Sequence, residues 1–190
     1  MRDTIFCKNY FLLTGAPGSG KSTVLHELRR RGYRGVDEAA RQIIAEQRTI
    51  GGNGIYDRDP SLFHELILSR SIAQFHAYIY SEFGDAPVIF DRGIPDSIGY
   101  GLLFGLDVQP AEAAAKIWRY NATAFFLPSW PEIYATDEDR RMSVDDARAF
   151  GENLRVIYLR AGYTVVDVPR GSAAQRVDFI LDAIMKCPNG

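Results

Sequence analysis

The chain has 190 residues, 46% of them hydrophobic and 24% charged, with a formal net charge of −2. That composition suits one globular domain over 1–190 and excludes a disordered chain, and no apolar run reaches the roughly 20 residues of a membrane helix. The charge balance offers no broad basic face, so neither nucleic acid nor a membrane is expected as a partner, and oligomeric state stays open.

The first residues, Met1 to Lys8, carry no long apolar core behind a basic head, so no secretory signal is expected. Cys7 and Cys187, the two cysteines, form no metal or redox spacing, which fits a reducing cytoplasm. Tyr10 to Thr14 is a continuous apolar run, as in a strand buried on both faces. A helix is predicted from Ser22 to Arg31, with a basic last turn and Gly32 as its stop. A short second strand, Tyr33 to Val36, leads into Asp37 and Glu38, and a helix follows over Ala39 to Gln47. After the break at Gly51 to Gly54, Asp59 and Pro60 read as the N-cap and first position of a long helix. Its apolar spacing runs to Ile79 and Gly84 closes it. Pro87 to Phe90 is a third strand ending at Asp91.

Two shorter helices are predicted around Asp96–Phe104 and Ala111–Tyr120, then a fourth strand from Ala122 to Leu127. Residues 128–143 form a polar excursion, and Ser143 opens a helix to Ala161. Tyr163 to Val168 is the fifth strand, and Ser172 with Gln175 forms a capping box for the last helix. Five such strands alternating with helices predict an α/β fold: a five-stranded, mainly parallel sheet in a three-layer α/β/α arrangement. Ligands of such sheets sit beyond the carboxyl ends of the strands.

The segment after the first strand is Gly15-Ala16-Pro17-Gly18-Ser19-Gly20-Lys21-Ser22-Thr23, which satisfies G-x-x-x-x-G-K-[ST] in full. Glycines let successive N–H groups curl around an anion, and the helix N-terminus adds positive potential at the same point. Lys21 would carry a full charge to the phosphates, and the Ser22 hydroxyl would ligate Mg²⁺. Only four of the 22 basic residues are lysines, so the placement of Lys21 is informative.

Asp91 ends an apolar strand, the Walker B arrangement for holding Mg²⁺ together with Ser22. Arg92 follows it, where a hydrolytic motor would carry a second carboxylate. Glu38 lies beyond the second strand and is a candidate general base, with Asp37 competing for that role and Asp91 an alternative for orienting or deprotonating the acceptor. No Asn/Thr-Lys-x-Asp signature is present, so ATP is the expected nucleotide while GTP, recognised by another route, stays open. His26, His64 and His76 show no ligand spacing, and Trp118 and Trp130 read as packing residues.

Three segments carry a resemblance: Glu38-Ala39-Ala40-Arg41, Asp91-Arg92-Gly93-Ile94-Pro95-Asp96, and Gly162-Tyr163-Thr164-Val165-Val166-Asp167-Val168-Pro169. With the phosphate loop and Phe126 to Tyr134, they resemble a family of small bacterial predicted ATPases, an AAA-like P-loop domain. That family is related to nicotinamide riboside kinase and other P-loop small-molecule kinases. The resemblance runs from Phe11 to Leu181 and implies a kinase-like P-loop fold that binds a magnesium nucleotide. It implies that the Asp91-Arg92 pair faces a phosphoryl acceptor and that a carboxylate after the second strand, here Glu38, takes the acceptor's proton. It also makes the 128–143 excursion a lid, whose Arg140 and Arg141 would close over the phosphates.

The expected activity is transfer of the ATP γ-phosphoryl group to a small hydroxyl-bearing acceptor, nucleoside-like or another metabolite. Lys21, Glu38, Asp91, Arg92, Arg140 and Arg141 are the candidate catalytic residues, and residues 15–23 would hold the nucleotide. The rivals are an ATP hydrolase that couples turnover to conformational change and a non-catalytic nucleotide sensor with a protein partner.

Overall fold

The computed structural model describes residues 3–79, 84–134 and 142–187. Strands β1 (Ile5–Phe6) and β2 (Tyr10–Gly15) lead into helix α1 (Lys21–Arg30). Strand β3 (Arg34–Val36) precedes the helix pair α2 (Ala39–Ile50) and α3 (Pro60–Ala77). After β4 (Val88–Asp91) come α4 (Ile94–Leu103), α5 (Gln109–Ile117), β5 (Trp118–Arg119) and β6 (Thr123–Leu127). A 3₁₀ turn at Pro131–Ile133, α6 (Val144–Arg160), β7 (Thr164–Asp167) and α7 (Ala173–Lys186) complete the order.

The main sheet has the order β3-β4-β2-β6-β7, with every pair parallel, as the alternating pattern predicts. β3 and β4 lie on one side of β2 and β6 and β7 on the other, so the loop after β2 opens at the switch point where such sheets bind ligands. The register aligns the carboxyl ends: Val36 stands opposite Phe90, Leu13 opposite Asp91 and Gly15 opposite Leu127.

Burial on both faces explains why Tyr10 to Leu13 of β2 are all apolar. Tyr10 and Leu12 enter one layer with Phe75, Phe90, Ile94, Tyr120 and Tyr158. Phe11 and Leu13 enter the other with Leu25, Leu28, Phe125, Val177 and Ile180. A third cluster of Ile43, Ile44, Ile55, Phe63 and Ile67 joins α2 to α3.

The local helix signals operate as expected. Asp59 accepts a bond from the Leu62 N–H at 2.9 Å, with Pro60 opening α3. Ser143 accepts from the Asp146 N–H, and Ser172 and Gln175 exchange bonds at the start of α7. Three boundaries differ from the sequence pattern by three residues or more. α2 runs on to Ile50, and α3 stops at Ala77 rather than continuing to Gly84. Tyr78 turns its ring edge-on to Phe90 at 6.1 Å, so core packing outweighs the helical spacing there. Trp118 and Arg119, expected in a helix, instead pair with Ile5 and Phe6 in a separate two-stranded parallel sheet. Arg119 is drawn there by the Ala161 carbonyl at 2.9 Å and by the Tyr163 ring at 4.1 Å.

Two close approaches shape the loop after β2. Gly15 adopts φ +122°, and a side chain there would run into the Leu127 carbonyl. Gly151, on α6, lies so near that a Cβ atom would stand 2.9 Å from the Ala16 nitrogen. The helix therefore lies directly against the first turn of the loop. Gly151→Val is expected to lower stability by about 1–3 kcal/mol, measured by urea denaturation. An unchanged denaturation midpoint would show that α6 does not press on the loop.

Candidate functional site

The loop from Gly15 to Gly20 curls in front of α1, and Gly20 occupies its N-cap with φ +84°. Lys21 is buried and turns back on its own loop, donating to the carbonyls of Ala16 at 2.9 Å and Gly15 at 3.5 Å. Burial pushes its ammonium down to about 8, and the nearby Arg92 adds to the effect. Ser22 and Thr23 line the adjoining cavity, as do Pro17, Gly18 and Gly20.

The Ser22 hydroxyl donates to Asp91 Oδ2 at 3.2 Å. The other carboxylate oxygen, Oδ1, is buried with no hydrogen-bond partner among the described residues. Burial pushes the Asp91 carboxyl up to about 6, against the lowering pull of Lys21 and Arg92. No group of three or more His, Cys, Asp or Glu suited to a metal occurs among the described residues. A hydroxyl beside an under-coordinated carboxylate nevertheless matches the sparse oxygen set of Mg²⁺, which keeps several waters.

Beyond Asp91 the backbone turns sharply. Arg92 has φ +68°, the one non-glycine positive φ among the described residues, a conformation that costs on the order of 1–3 kcal/mol. Its N–H donates to the Leu13 carbonyl at 2.9 Å. Its guanidinium spans two carboxylates, donating from Nη1 to Asp96 Oδ1 at 2.9 Å and from Nε to Glu38 Oε1 at 3.1 Å. Asp96 is almost fully buried and also receives the Thr14 hydroxyl at 2.9 Å, the Tyr158 hydroxyl at 2.6 Å and the Gly93 N–H at 3.1 Å.

Glu38 Oε1 receives the Tyr100 hydroxyl at 2.9 Å as well, and Oε2 lies 3.6 Å from Arg41. Burial raises the Glu38 carboxyl, but Arg92, Lys21, Arg41 and the Tyr100 bond outweigh it and leave it below the usual carboxylate range. Asp37 turns the other way, to a bidentate pair with Arg29 at 2.8 and 2.9 Å on the surface. Glu38, Lys21, Asp91 and Arg92 are therefore brought together and Asp37 is not.

Lys21, Glu38 and Arg92 line one cavity of about 910 Å³ together with Ser22, the hydrogen-bond partner of Asp91. Ile44, Tyr56, Phe63, Tyr100, Phe104 and Phe150 give it apolar and aromatic surface. Trp130, Ile133 and Met142, which fall within the 128–143 excursion, line it as well. Arg140 and Arg141 lie outside the described residues.

Several contributors escaped the sequence reading. Arg176 of α7 is buried, donates to the Ser19 carbonyl at 2.8 Å and places its guanidinium 5.6 Å from the Trp130 ring centre. Burial lowers its pKa, and its Nε has no partner among the described residues. The capping box at Ser172 was the available signal, because it places the start of α7 at the ligand edge of the sheet. Tyr100, Tyr158 and Gly151 carried no comparable signal.

Solved structures share this architecture. A NadR protein in complex with NR superposes with a TM-score of 0.73 at 18% identity, covering 95% of this chain and 52% of that one. This chain thus spans about half the length of the NadR chain. Deoxyadenosine kinase from M. mycoides gives 0.61 at 14% identity, covering 94% of this chain and 100% of its own. Shikimate kinase from Acinetobacter baumannii, in complex with shikimate, gives 0.53 at 15%, covering 96% of each chain. At such identities the likeness is one of fold, the P-loop kinase arrangement. The search of curated proteins gives no match. A family described as an AAA domain matches residues 10–176, so the chain belongs to that P-loop family.

Proposed function

We propose that the protein is a phosphotransferase that moves the γ-phosphoryl group of ATP onto a hydroxyl of a small molecule. The observation that carries this reading is the Glu38–Arg92–Asp96 array, whose Glu38 and Arg92 line the same cavity as the phosphate loop and a set of apolar and aromatic side chains. Neither hydrolysis nor nucleotide sensing calls for that apolar surface. The kinase fold of the neighbours supports it.

In this reading the N–H groups of residues 18–20 and Lys21 bind the phosphates, with Gly15, Ala16 and Pro17 shaping the loop, and the Thr23 hydroxyl borders them. Ser22 and Asp91 would hold Mg²⁺, which when bound neutralises phosphate charge. The acceptor oxygen forms a bond to the γ-phosphorus as the bond from that phosphorus to the β–γ bridging oxygen breaks. ADP leaves, and the hydroxyl proton passes to the Glu38 carboxylate. Arg92 offers its charge to the moving group. Arg140 and Arg141 would close from the 128–143 excursion. Phosphoryl transfer passes through a loose transition state, so Glu38 needs correct placement more than strong basicity.

Purified protein is expected to bind Mg-ATP by calorimetry and to form little ADP until an acceptor is supplied. Lys21→Ala is expected to lower acceptor-dependent turnover about a hundred- to thousandfold. Rapid ADP formation without acceptor would favour a hydrolase. Tight binding with no turnover across acceptors would favour a sensor.

Asp96→Asn is expected to reduce kcat at least about tenfold with little change in KM for ATP, because it releases Arg92 from its strained position without touching the phosphate loop. Equal losses in ATP affinity and kcat would count against that positioning role.

Lys21 also sets a pH dependence. Its ammonium is charged below about 8 in the free protein, and bound phosphates favour that charged form. Metal-free ATP, measured in chelator above the titration range of its own terminal phosphate, is therefore expected to bind progressively more weakly as the pH rises past about 8, with uptake of a proton. Calorimetry across the range in buffers of different ionisation heat reads both effects, and a flat profile would contradict them.

A further inference from the structure

The charged side chains that line the cavity are Lys21, Glu38, Arg41, Arg92, Asp146 and Arg176. Arg92 donates to Glu38, and Arg41 lies 3.6 Å from the same carboxylate. Lys21 has Asp91, Glu38 and Asp96 near enough to favour its charge. Asp146 accepts the Ser143 hydroxyl at 2.6 Å. Of the acids on the elements around Arg176, Glu132 faces Arg170 at 3.7 Å and Asp178 pairs with Arg31. Arg176 itself has no carboxylate within 4 Å among the described residues. Its side chain makes one hydrogen bond among them, to the neutral carbonyl of Ser19, and Nε has none.

Such a cation is unfavourable on two counts. Only 4% of Arg176 is exposed, and burying a charge without a counter-charge is costly. It also stands in the first four residues of α7, where the helix dipole opposes a positive group. A local rule broken in this way points to a ligand that restores the balance. The phosphate loop is where that ligand would lie. A Cβ added to Gly20 would stand 2.7 Å from Arg176 Nη1, so the guanidinium rests directly on the loop. The Ser19–Gly20 peptide is planar and trans, so the Gly20 N–H points the opposite way from the carbonyl that Arg176 holds.

We propose that Arg176 is a positioning residue for the nucleotide's phosphates: it holds the Ser19 carbonyl so that the Gly20 N–H is turned to the anion, and the anion supplies the counter-charge that Arg176 lacks within the protein. This rests on the reading of the loop as a phosphate site and adds to it a residue from the far end of the chain, whatever the acceptor. A charged donor on the carbonyl polarises the amide and makes its N–H a stronger donor, and an anion on that N–H strengthens the bond to Arg176 in turn. The contact is a single bond from Nη2, so it calls for charge and reach rather than for a bidentate fork.

The rival role is a base contact, because the guanidinium also lies 5.6 Å from the Trp130 ring centre. Calorimetry on the whole chain with two probes separates them: Mg-ATP, and Mg-tripolyphosphate, which carries phosphates and no base. Arg176→Gln keeps an N–H donor and removes the charge. It is expected to weaken both probes about tenfold, by factors equal within about twofold. The urea midpoint of the ligand-free variant is expected to be unchanged or higher, because an unpaired buried charge has gone. Arg176→Lys, which restores the charge, is expected to bind both probes within about threefold of wild type.

Loss of Mg-ATP affinity alone would make Arg176 a base contact and overturn the proposal. So would unchanged affinity for both probes, or an Arg176→Lys variant as weak as Arg176→Gln. Wild-type binding of Mg-ATP without binding of Mg-tripolyphosphate at about 10 mM would place the affinity on the base and overturn it as well. If Arg176→Gln does not fold, ¹⁵N-labelled wild-type protein decides the matter. On addition of Mg-tripolyphosphate the Arg176 side-chain signal and the Gly20 amide signal are expected to move along one saturation curve, and an unmoved Arg176 signal would overturn the proposal. Failure of the wild type to bind either probe would reject the phosphate-site reading, and the role of Arg176 with it.

Discussion

The guanidinium of Arg92, held between Asp96 and Glu38, ties together the elements that build the ligand edge of the sheet. Asp96 receives groups from β2, α6 and the turn after β4, and through Arg92 it is linked to Glu38 beyond β3. Burying these charges costs several kcal/mol per ion before pairing. Removing one partner would leave the others charged and dry, which is worse than never having buried them. Complete satisfaction of Asp96, with two donors on each oxygen, is what makes the arrangement tolerable. The same bonds hold Arg92 in a left-handed conformation that its backbone alone would not choose.

The phosphate loop is constrained from outside in a comparable way. Gly151 lets α6 lie on Ala16, and Arg176 reaches from α7 to the Ser19 carbonyl. The loop is thus held on two sides by helices distant in sequence while its inner face stays open to the cavity. Lys21 bonds to its own loop carbonyls in this state. A phosphate oxygen would compete with those neutral acceptors for an ammonium that burial has destabilised, so the anion relieves an electrostatic cost already present in the fold.

What was legible in the sequence was local or periodic. The phosphate loop, the Asp59 and Ser143 caps and the Ser172–Gln175 box each act within a few residues, where the chemistry of a side chain and the nearest backbone groups suffices. The sheet was legible because buried parallel strands read as apolar runs. The Glu38–Arg92 pair was half legible: both residues were placed beyond strand ends, but their meeting depends on β3 and β4 being neighbours. Val36 stands opposite Phe90, so the residues two further along each chain come face to face. Asp96 as a hub, Tyr100 and Arg176 were not legible, because each is defined by partners 62 to 157 residues away. The short β1–β5 pairing has two residues per strand, too few to show alternation against a helical background.

The depressed carboxyl of Glu38 bears on how a kinase of this kind would work. A strongly basic carboxylate would have to be buried away from cations, and there it would be protonated for much of the time. Glu38 instead stays ionised through Arg92 and Tyr100. Those two bonds occupy one oxygen and fix the direction of the other. When bond breaking to the leaving group runs ahead of bond making, the acceptor needs little proton removal before attack. The useful contribution is then a fixed hydrogen bond that aligns the acceptor lone pair with phosphorus, and a rigid ion-paired carboxylate supplies that better than a free one. The cluster that lowers the basicity of Glu38 is thus the same cluster that gives it a single orientation.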